Sequence, residues 1–307
     1  MSFSRKFTAF YISAGVLIQR TIGRFLDGGV KKINIKADLL PDYFARKYVP
    51  LVKDLTQKRI TIETPETIWQ FWDNPAGQTT PAIVKASFKT VDRFKGNFDH
   101  KILDNSSMGN YSDLPGYVFD RLKRRQMRYA HFSDLLRLNL LKNHGGVWMD
   151  ATSYMTDFIP EHIKNLDFFV FLTGKQTSFP YSFMQNCFIR AKIGSFLCEA
   201  WYLMCVEYWK NESKRIDYFQ HQLMFKALAL NNPAAKDLFA GMPHLSEDET
   251  HLLAGNNLVK KFDAGEWDRI RKASFFQKTR YMVKRGQITN AADYPDTYFS
   301  QLSDGKL

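Results

Sequence analysis

The sequence predicts an α/β fold preceded by a helical, basic N-terminal segment, and three observations carry that prediction. Short runs rich in aromatic and β-branched residues alternate with longer stretches at helical period. One helical stretch stops at a glycine pair and passes directly into an apolar strand. The order strand, helix, strand after residue 67 reads as a right-handed parallel unit. With 307 residues the chain can bury a sizeable core. A content of 45% hydrophobic and 15% aromatic residues excludes a disordered chain.

The first 60 residues carry 12 Lys and Arg against 4 Asp and Glu, so eight of the net +12 charges lie there. Phe7, Phe10, Tyr11, Ala14, Leu17, Ile18, Ile22 and Phe25 trace one side of a helix, with Arg5, Arg20 and Arg24 largely off it. The longest stretch without a charge, Phe7 to Gln19, has 13 residues, which reads as a helix lying on a surface and not as a span. No small-residue cleavage pattern follows a clean apolar core, so a secretory signal is not expected. Residues 1–26 are thus expected to lie on an anionic membrane surface, or to dock their apolar stripe on this chain or another subunit. The corresponding location is cytoplasmic, peripheral at the inner face of the cell membrane. Nucleic acid is not an expected partner, because no recognisable reading module accompanies the charge. Residues 31–59 extend the basic region as a connector with short helices around Pro41-Asp42-Tyr43 and from Val49 to Leu55.

A domain from 61 to 307 follows. Thr67 to Trp72 reads as its first strand, Pro81 to Phe94 as a helix with Pro81 near its first turn, and Phe98 to Leu103 as the second strand. Pro115 to Arg125 reads as a helix ending in Lys123-Arg124-Arg125, a solvated face or an acceptor or membrane contact. From Arg128 to His144 Ala130, Leu135, Leu138 and Leu141 recur at helical spacing, and Gly145-Gly146 ends that helix. Val147-Trp148-Met149 resumes as a strand, which sets Asp150 at its C-terminal end, where open α/β sheets bind ligands. Asp134 and Arg137, three apart, share a helix face. A carboxylate and a planar guanidinium there suit sugar hydroxyls, phosphate oxygens or a divalent cation, while a buried ion pair is the plainer reading. Asp167 to Leu172 and Phe183 to Arg190 read as further strands, and Ser195 to Lys210 as a helix. Ile216 opens another helix, stopped by Asn231-Asn232-Pro233. Cys187, Cys198 and Cys205 have no metal-type spacing and read as buried free thiols of a reducing compartment.

Ser133-Asp134-Leu135-Leu136-Arg137, seven residues, then Gly145-Gly146-Val147-Trp148-Met149-Asp150-Ala151-Thr152 resembles the core of the capsular polysaccharide synthesis glycosyltransferases. These are relatives of the DXD-containing sugar transferases, among them mannosyltransferases and the large clostridial glucosylating toxins. The similarity runs from about Thr67 to about Phe225 and is most specific from Ala130 to Thr152. It implies a GT-A fold, a Rossmann-like mixed sheet flanked by helices. It also implies retaining transfer of a hexose or N-acetylhexosamine from a nucleotide diphosphate sugar, UDP favoured over GDP, to a saccharide or lipid-linked acceptor. By the same resemblance Asp134 and Arg137 contact the donor sugar, and Asp150 is the first acid of the DXD motif. Thr152 stands where the second acid is usual, the acid that ligates the metal directly in those relatives. The implied cofactor is Mn²⁺ or Mg²⁺ at Asp150, with Thr152 and His221 as further candidate ligands.

Trp69, Gln70 and Phe71 lie where the family's first strand meets the nucleotide base, although a Trp-rich strand is as readily core. Asn186, among apolar neighbours, is a candidate donor contact or a satisfied core amide. The Asp217-Tyr218-Phe219 segment is similar to one in which a residue faces the active site, and a lone His221 on an aromatic helix is also readily structural. A C-terminal loop often covers the diphosphate in such folds, and Lys278, Arg280, Lys284 and Arg285 are equal candidates to supply its charge. Two other readings stay open: a sugar-nucleotide hydrolase, which would share the nucleotide site, and a membrane-peripheral, non-catalytic assembly factor that kept the fold.

Overall fold

A computed structural model describes residues 35–74, 77–177, 179–284 and 287–307. The amphipathic segment at 1–26, Lys31-Lys32 and Arg285 lie outside the described residues. A five-stranded sheet organises the molecule, in the order β2-β1-β3-β6-β5. Its strands are β1 (Thr67–Phe71), β2 (Asp99–Leu103), β3 (Gly146–Met149), β5 (Phe168–Leu172) and β6 (Met184–Ala191). β1 runs parallel to β2 and β3, whereas β6 is antiparallel to both β3 and β5. A second, two-stranded sheet pairs β4 (Ser153–Met155) with β7 (Phe276–Lys278), antiparallel. The fold is therefore mixed α/β, a sheet flanked by helices, as expected.

Helices α1 (Leu40–Tyr48), α2 (Ala82–Phe94), α3 (Gly116–Lys123) and α4 (Tyr129–His144) precede the central turn. After it come α5 (Glu161–Lys164), α6 (Phe196–Asn211), α7 (Gln220–Asn231), α8 (Pro233–Gly241), α9 (Ala264–Ala273) and α10 (Tyr298–Ser303). α4 presents Phe132, Leu135, Leu136, Leu138, Leu140 and Leu141 as fully or nearly fully buried side chains, so the helix is apolar on more than one side and lies in the core between sheet and α6. None of the described helices is long and apolar enough to cross a membrane.

The junction between α4 and β3 needs glycine twice. Gly145 and Gly146 have φ of +65° and +97°, and a Cβ on Gly146 would come within 2.1 Å of the Thr67 carbonyl oxygen. With no side chain at that point, β3 begins directly against β1, and the Trp69 indole N–H closes the turn by donating to the Gly145 carbonyl at 2.9 Å.

Leu40, Phe44, Tyr48, Val49 and Val52 are buried in the main core with the sheet, α4, α6 and α7, so this part of the N-terminal 60 residues packs on the domain. Lys226 of α7 fastens it by donating to the Ala37 carbonyl at 2.8 Å. A separate cluster joins Ile83 and Val84 of α2, Tyr154 of β4 and Ile270, Tyr298, Phe299 and Leu302 of the C-terminal segment. That segment thus returns to the central turn. All three cysteines are buried and free.

One local expectation gives way. The helix expected from Ile216 starts at Gln220, because Asp217 accepts from the Phe219 N–H at 2.8 Å and Gln220 accepts from the Ile216 N–H at 3.0 Å, holding 216–219 as a turn. Asn232-Pro233 ends α7 and also starts α8, where Asn232 accepts from the Ala235 N–H at 3.0 Å and Pro233 takes the first helical position.

Candidate donor site

A cleft of about 360 Å³ opens at the C-terminal ends of β1 and β3. Asp134 and Arg137 reach it from α4, Asp150 and Thr152 from the turn after β3, Asn186 from β6 and Lys278 from β7. Arg137 is the hinge of the group. Its Nη2 lies 3.3 Å from Asp134 Oδ1 and 3.6 Å from Asp150 Oδ1. Nη1 donates to the Asn186 carbonyl and Nε to the Ser133 carbonyl, and the guanidinium lies over the Trp148 ring, 5.0 Å from its centroid. A planar fork held on several sides cannot swing away, so the two carboxylates keep a fixed separation.

Asp150 is oriented from every direction that matters. Its N–H donates to the Cys187 carbonyl at 2.9 Å and its carbonyl accepts from Gln70 Nε2 at 3.1 Å. Oδ1 accepts from the Trp148 indole N–H at 3.0 Å, and Oδ2 lies 3.2 Å from Lys278 Nζ. Burial pushes this carboxyl up, but Lys278 and Arg137, with the indole donor, outweigh it and hold the group below its usual value. Asp134 goes the other way. Burial, offset in part by Arg137 and reinforced by the Asp150 charge, raises it to about 7. Two carboxyls in one cleft therefore have separate protonation states at neutrality, Asp150 ionised and Asp134 near its midpoint.

Of the residues expected at the site, the structure brings together Asp134, Arg137, Asp150, Thr152, Asn186 and Phe71. Asn186 donates its amide to Asp134 Oδ1 at 2.9 Å. Three others do not line the cleft. Trp69 is buried against Tyr111 and His144 and serves the glycine turn, because the pleat points it to the side of the sheet where those rings pack. Gln70 bridges His100 Nε2 at 2.7 Å and the Asp150 carbonyl, so it supports the acid from beneath. His221 lies behind Asp134, Nδ1 3.8 Å from its Oδ1, with its ring 4.1 Å from that of Trp201. Burial drives this histidine well below its usual pKa and keeps it neutral.

Lys278 is the residue the sequence left unresolved among four. Pairing of β4 with β7 sets Lys278 opposite Ser153, and Thr279 donates both its N–H and its hydroxyl to the Thr152 carbonyl at 2.8 Å. Lys278 then donates to Thr152 Oγ1 while facing Asp150. Arg280 instead reaches Asn256, and Lys284 is exposed. Also missed were Trp72 and Tyr281, whose rings meet edge to face at 4.8 Å on the cleft wall. Tyr218 and Phe219 complete the wall, in the segment flagged by resemblance.

The expected metal ligands do not fit a divalent ion. Asp150 and Thr152 both face the Lys278 ammonium, and His221 is on the far side of Asp134. Among the described residues no group of three or more His, Cys, Asp or Glu side chains is placed to hold a metal ion. Both cleft carboxylates already face cations, Asp150 both Lys278 and Arg137 and Asp134 Arg137, so a divalent ion would enter a corner whose charge is already compensated.

A family model described as "Capsular polysaccharide synthesis protein" matches residues 30–302. No curated protein matches the chain. Six chains of solved structures match. One is titled "PaToxG Glycosyltransferase" and is 13% identical, with a TM-score of 0.40 over 68% of this chain and 84% of that one.

Proposed function

The chain belongs to the capsular polysaccharide synthesis family, and on that premise we propose that it is a glycosyltransferase using a nucleotide diphosphate sugar. One observation carries the reading: a fixed guanidinium between two carboxylates, with an ammonium beside them, at the carboxyl edge of a mixed α/β sheet. The GT-A type of organisation implied by resemblance fits that sheet, since ligands of such folds bind outside the carboxyl ends of the strands.

In this reading Asp134 and Arg137 hold the sugar hydroxyls, with Asn186 orienting Asp134, and Asp150 fixes the nucleotide half. The bond from the sugar C1 to the diphosphate oxygen breaks and a bond from C1 to the acceptor oxygen forms. The acceptor's proton goes to the leaving phosphate, and attack comes from the face that the diphosphate leaves, so configuration is retained. Arg137 and Lys278 meet the negative charge that grows on the diphosphate, and the fixed positions of both cations spare reorganisation at that moment. Trp72, Tyr281 and Phe71 offer flat apolar surface for base or acceptor ring. A UDP-linked hexose or N-acetylhexosamine is favoured as donor, and a saccharide or lipid-linked chain as acceptor.

Turnover of a panel of UDP- and GDP-sugars, with and without added saccharide acceptor, tests the proposal. Acceptor-dependent product formation is the expected result. Sugar release that an acceptor does not alter would make the protein a hydrolase. Absence of nucleotide binding would favour an assembly role. Residues 1–26 are proposed to hold the enzyme at an anionic membrane surface, where a lipid-linked acceptor resides. Deleting them should release the protein from anionic vesicles, and equal binding by the shortened chain would rule that anchor out.

A further inference from the structure

We infer that Lys278, and not a divalent cation, supplies the positive charge beside Asp150 against which the donor's diphosphate binds, so that donor binding and transfer are metal-independent. The inference rests on the nucleotide-sugar reading above and goes beyond it in naming the cation.

The ammonium occupies the space between the two side chains that a D-x-D pair would present. Nζ lies 3.2 Å from Asp150 Oδ2 and donates to Thr152 Oγ1. It is not a wandering surface lysine. The β4–β7 pairing and the two bonds from Thr279 to the Thr152 carbonyl fix its backbone, and its side chain, 23% exposed, lines the cleft. A metal ion arriving at Asp150 would meet a like charge at contact distance and would have to displace it.

The charges at this turn match with a threonine at 152. Two acids one residue apart call for two positive charges, which a divalent ion brings. One acid and a neutral hydroxyl call for one, which a single lysine brings, and the hydroxyl oxygen accepts a hydrogen bond from that lysine. Lys278 of β7 thus balances the one acid of the turn and satisfies the hydroxyl beside it. An ammonium has three donors, and with two directed at Asp150 and Thr152 one remains for a phosphate oxygen.

The test is UDP, and GDP in its place if wild type does not bind UDP, titrated calorimetrically into the full chain in excess EDTA and, separately, in Mn²⁺. Wild type is expected to bind equally in the two, within about twofold. Lys278→Met should lose roughly ten- to hundredfold in EDTA, the worth of a hydrogen bond to a charged group, while Lys278→Arg keeps most of the affinity. The double variant Thr152→Asp with Lys278→Met rebuilds an acid pair without its lysine, and its UDP binding should require Mn²⁺. Thermal melts without nucleotide identify any variant that fails to fold; wild type and Lys278→Arg still decide the matter if Lys278→Met does fail. Wild-type binding that needs Mn²⁺, or a folded Lys278→Met that binds as wild type in EDTA, overturns the inference and leaves the donor-site reading standing. Binding of neither UDP nor GDP by wild type in either condition overturns that reading and the inference with it.

Discussion

Strand β6 carries two functional groups four residues apart, about 13 Å at the rise of a strand, and each meets an arginine–carboxylate pair of a different kind. At its N-terminal end Asn186 binds Asp134 through its amide and Arg137 through its carbonyl. Toward its C-terminal end Arg190, with no exposed surface, donates to Glu66 and to the Gly146 carbonyl at 3.1 Å. By residue type the pairs are equivalent, yet only one faces a cleft. Arg190 is opposite Val147, near the start of β3, where β1 and β3 are sealed by the glycine turn. Arg137 lies at the other end, where those strands stop and the sheet opens. Position along the strand, and not the chemistry of the pair, separates a structural ion pair from a candidate catalytic one.

Four substitutions or titrations can break or sharpen that contrast. Asp150→Ala carries the largest expected effect: transfer should fall by roughly a thousandfold, as when a preorganised charge is removed from a transition state, with the melting temperature little changed. Arg137→Lys comes next, at about a hundredfold, because a point charge does not replace a fork bonded at Asn186 and Ser133 and flanked by two acids. Steady-state kinetics beside a thermal melt check both, and wild-type turnover in either variant would remove that residue from the mechanism. Arg190→Met should do the opposite. It strands a nearly buried Glu66 and should cost about 3–5 kcal/mol of stability while specific activity per folded molecule stays unchanged. Urea unfolding and active-site titration measure the two sides, and loss of activity without loss of stability would refute the division between the ends.

The same contrast explains what could be read in advance. The helix, glycine turn and strand from 129 to 149 were legible because periodicity, the stop signal and the apolar run are local and agree. Asp134, Arg137 and Asp150 were legible as a group through the motif that spans that same stretch. Which way β1 points its side chains was not, because alternation fixes two faces without naming the one that meets the cleft; hence Trp69 and Gln70 turned out to be supports. Lys278 lies 126 residues from the threonine it binds, and only the pairing of two three-residue strands brings it there. No local pattern separates it from Arg280 or Lys284. His221 was drawn toward the site by its sequence neighbours Tyr218 and Phe219, which do line the cleft, but α7 turns its ring onto Trp201.

The smallest expected effect is a titration, and it concerns the one cleft carboxyl that is not held ionised. Asp134 in the folded protein is raised from 3.8 to about 7, chiefly by burial. Between those values the folded chain retains a proton that the unfolded chain has released, so stability is greatest below pH 4 and falls as pH rises toward 7. The slope from one such group is at most about 1.4 kcal/mol per pH unit. Glu247, also raised to about 7, adds to it, whereas His131 and His251, lowered to about 4, oppose it, since the unfolded chain binds their protons up to its own ordinary value. The net curve of wild type therefore says little by itself, and the measurement that isolates Asp134 is the difference from Asp134→Asn. Urea unfolding of both chains from pH 4.5 to 8 should give curves that diverge, the variant gaining on wild type as pH rises and the gap levelling above about 7. Introducing Arg190→Met into both should leave that divergence intact, because the pair at the sealed end of β6 is remote from this proton. A gap that stays constant with pH would mean that Asp134 is ionised throughout, and that the two cleft carboxyls do not have the separate protonation states assigned to them.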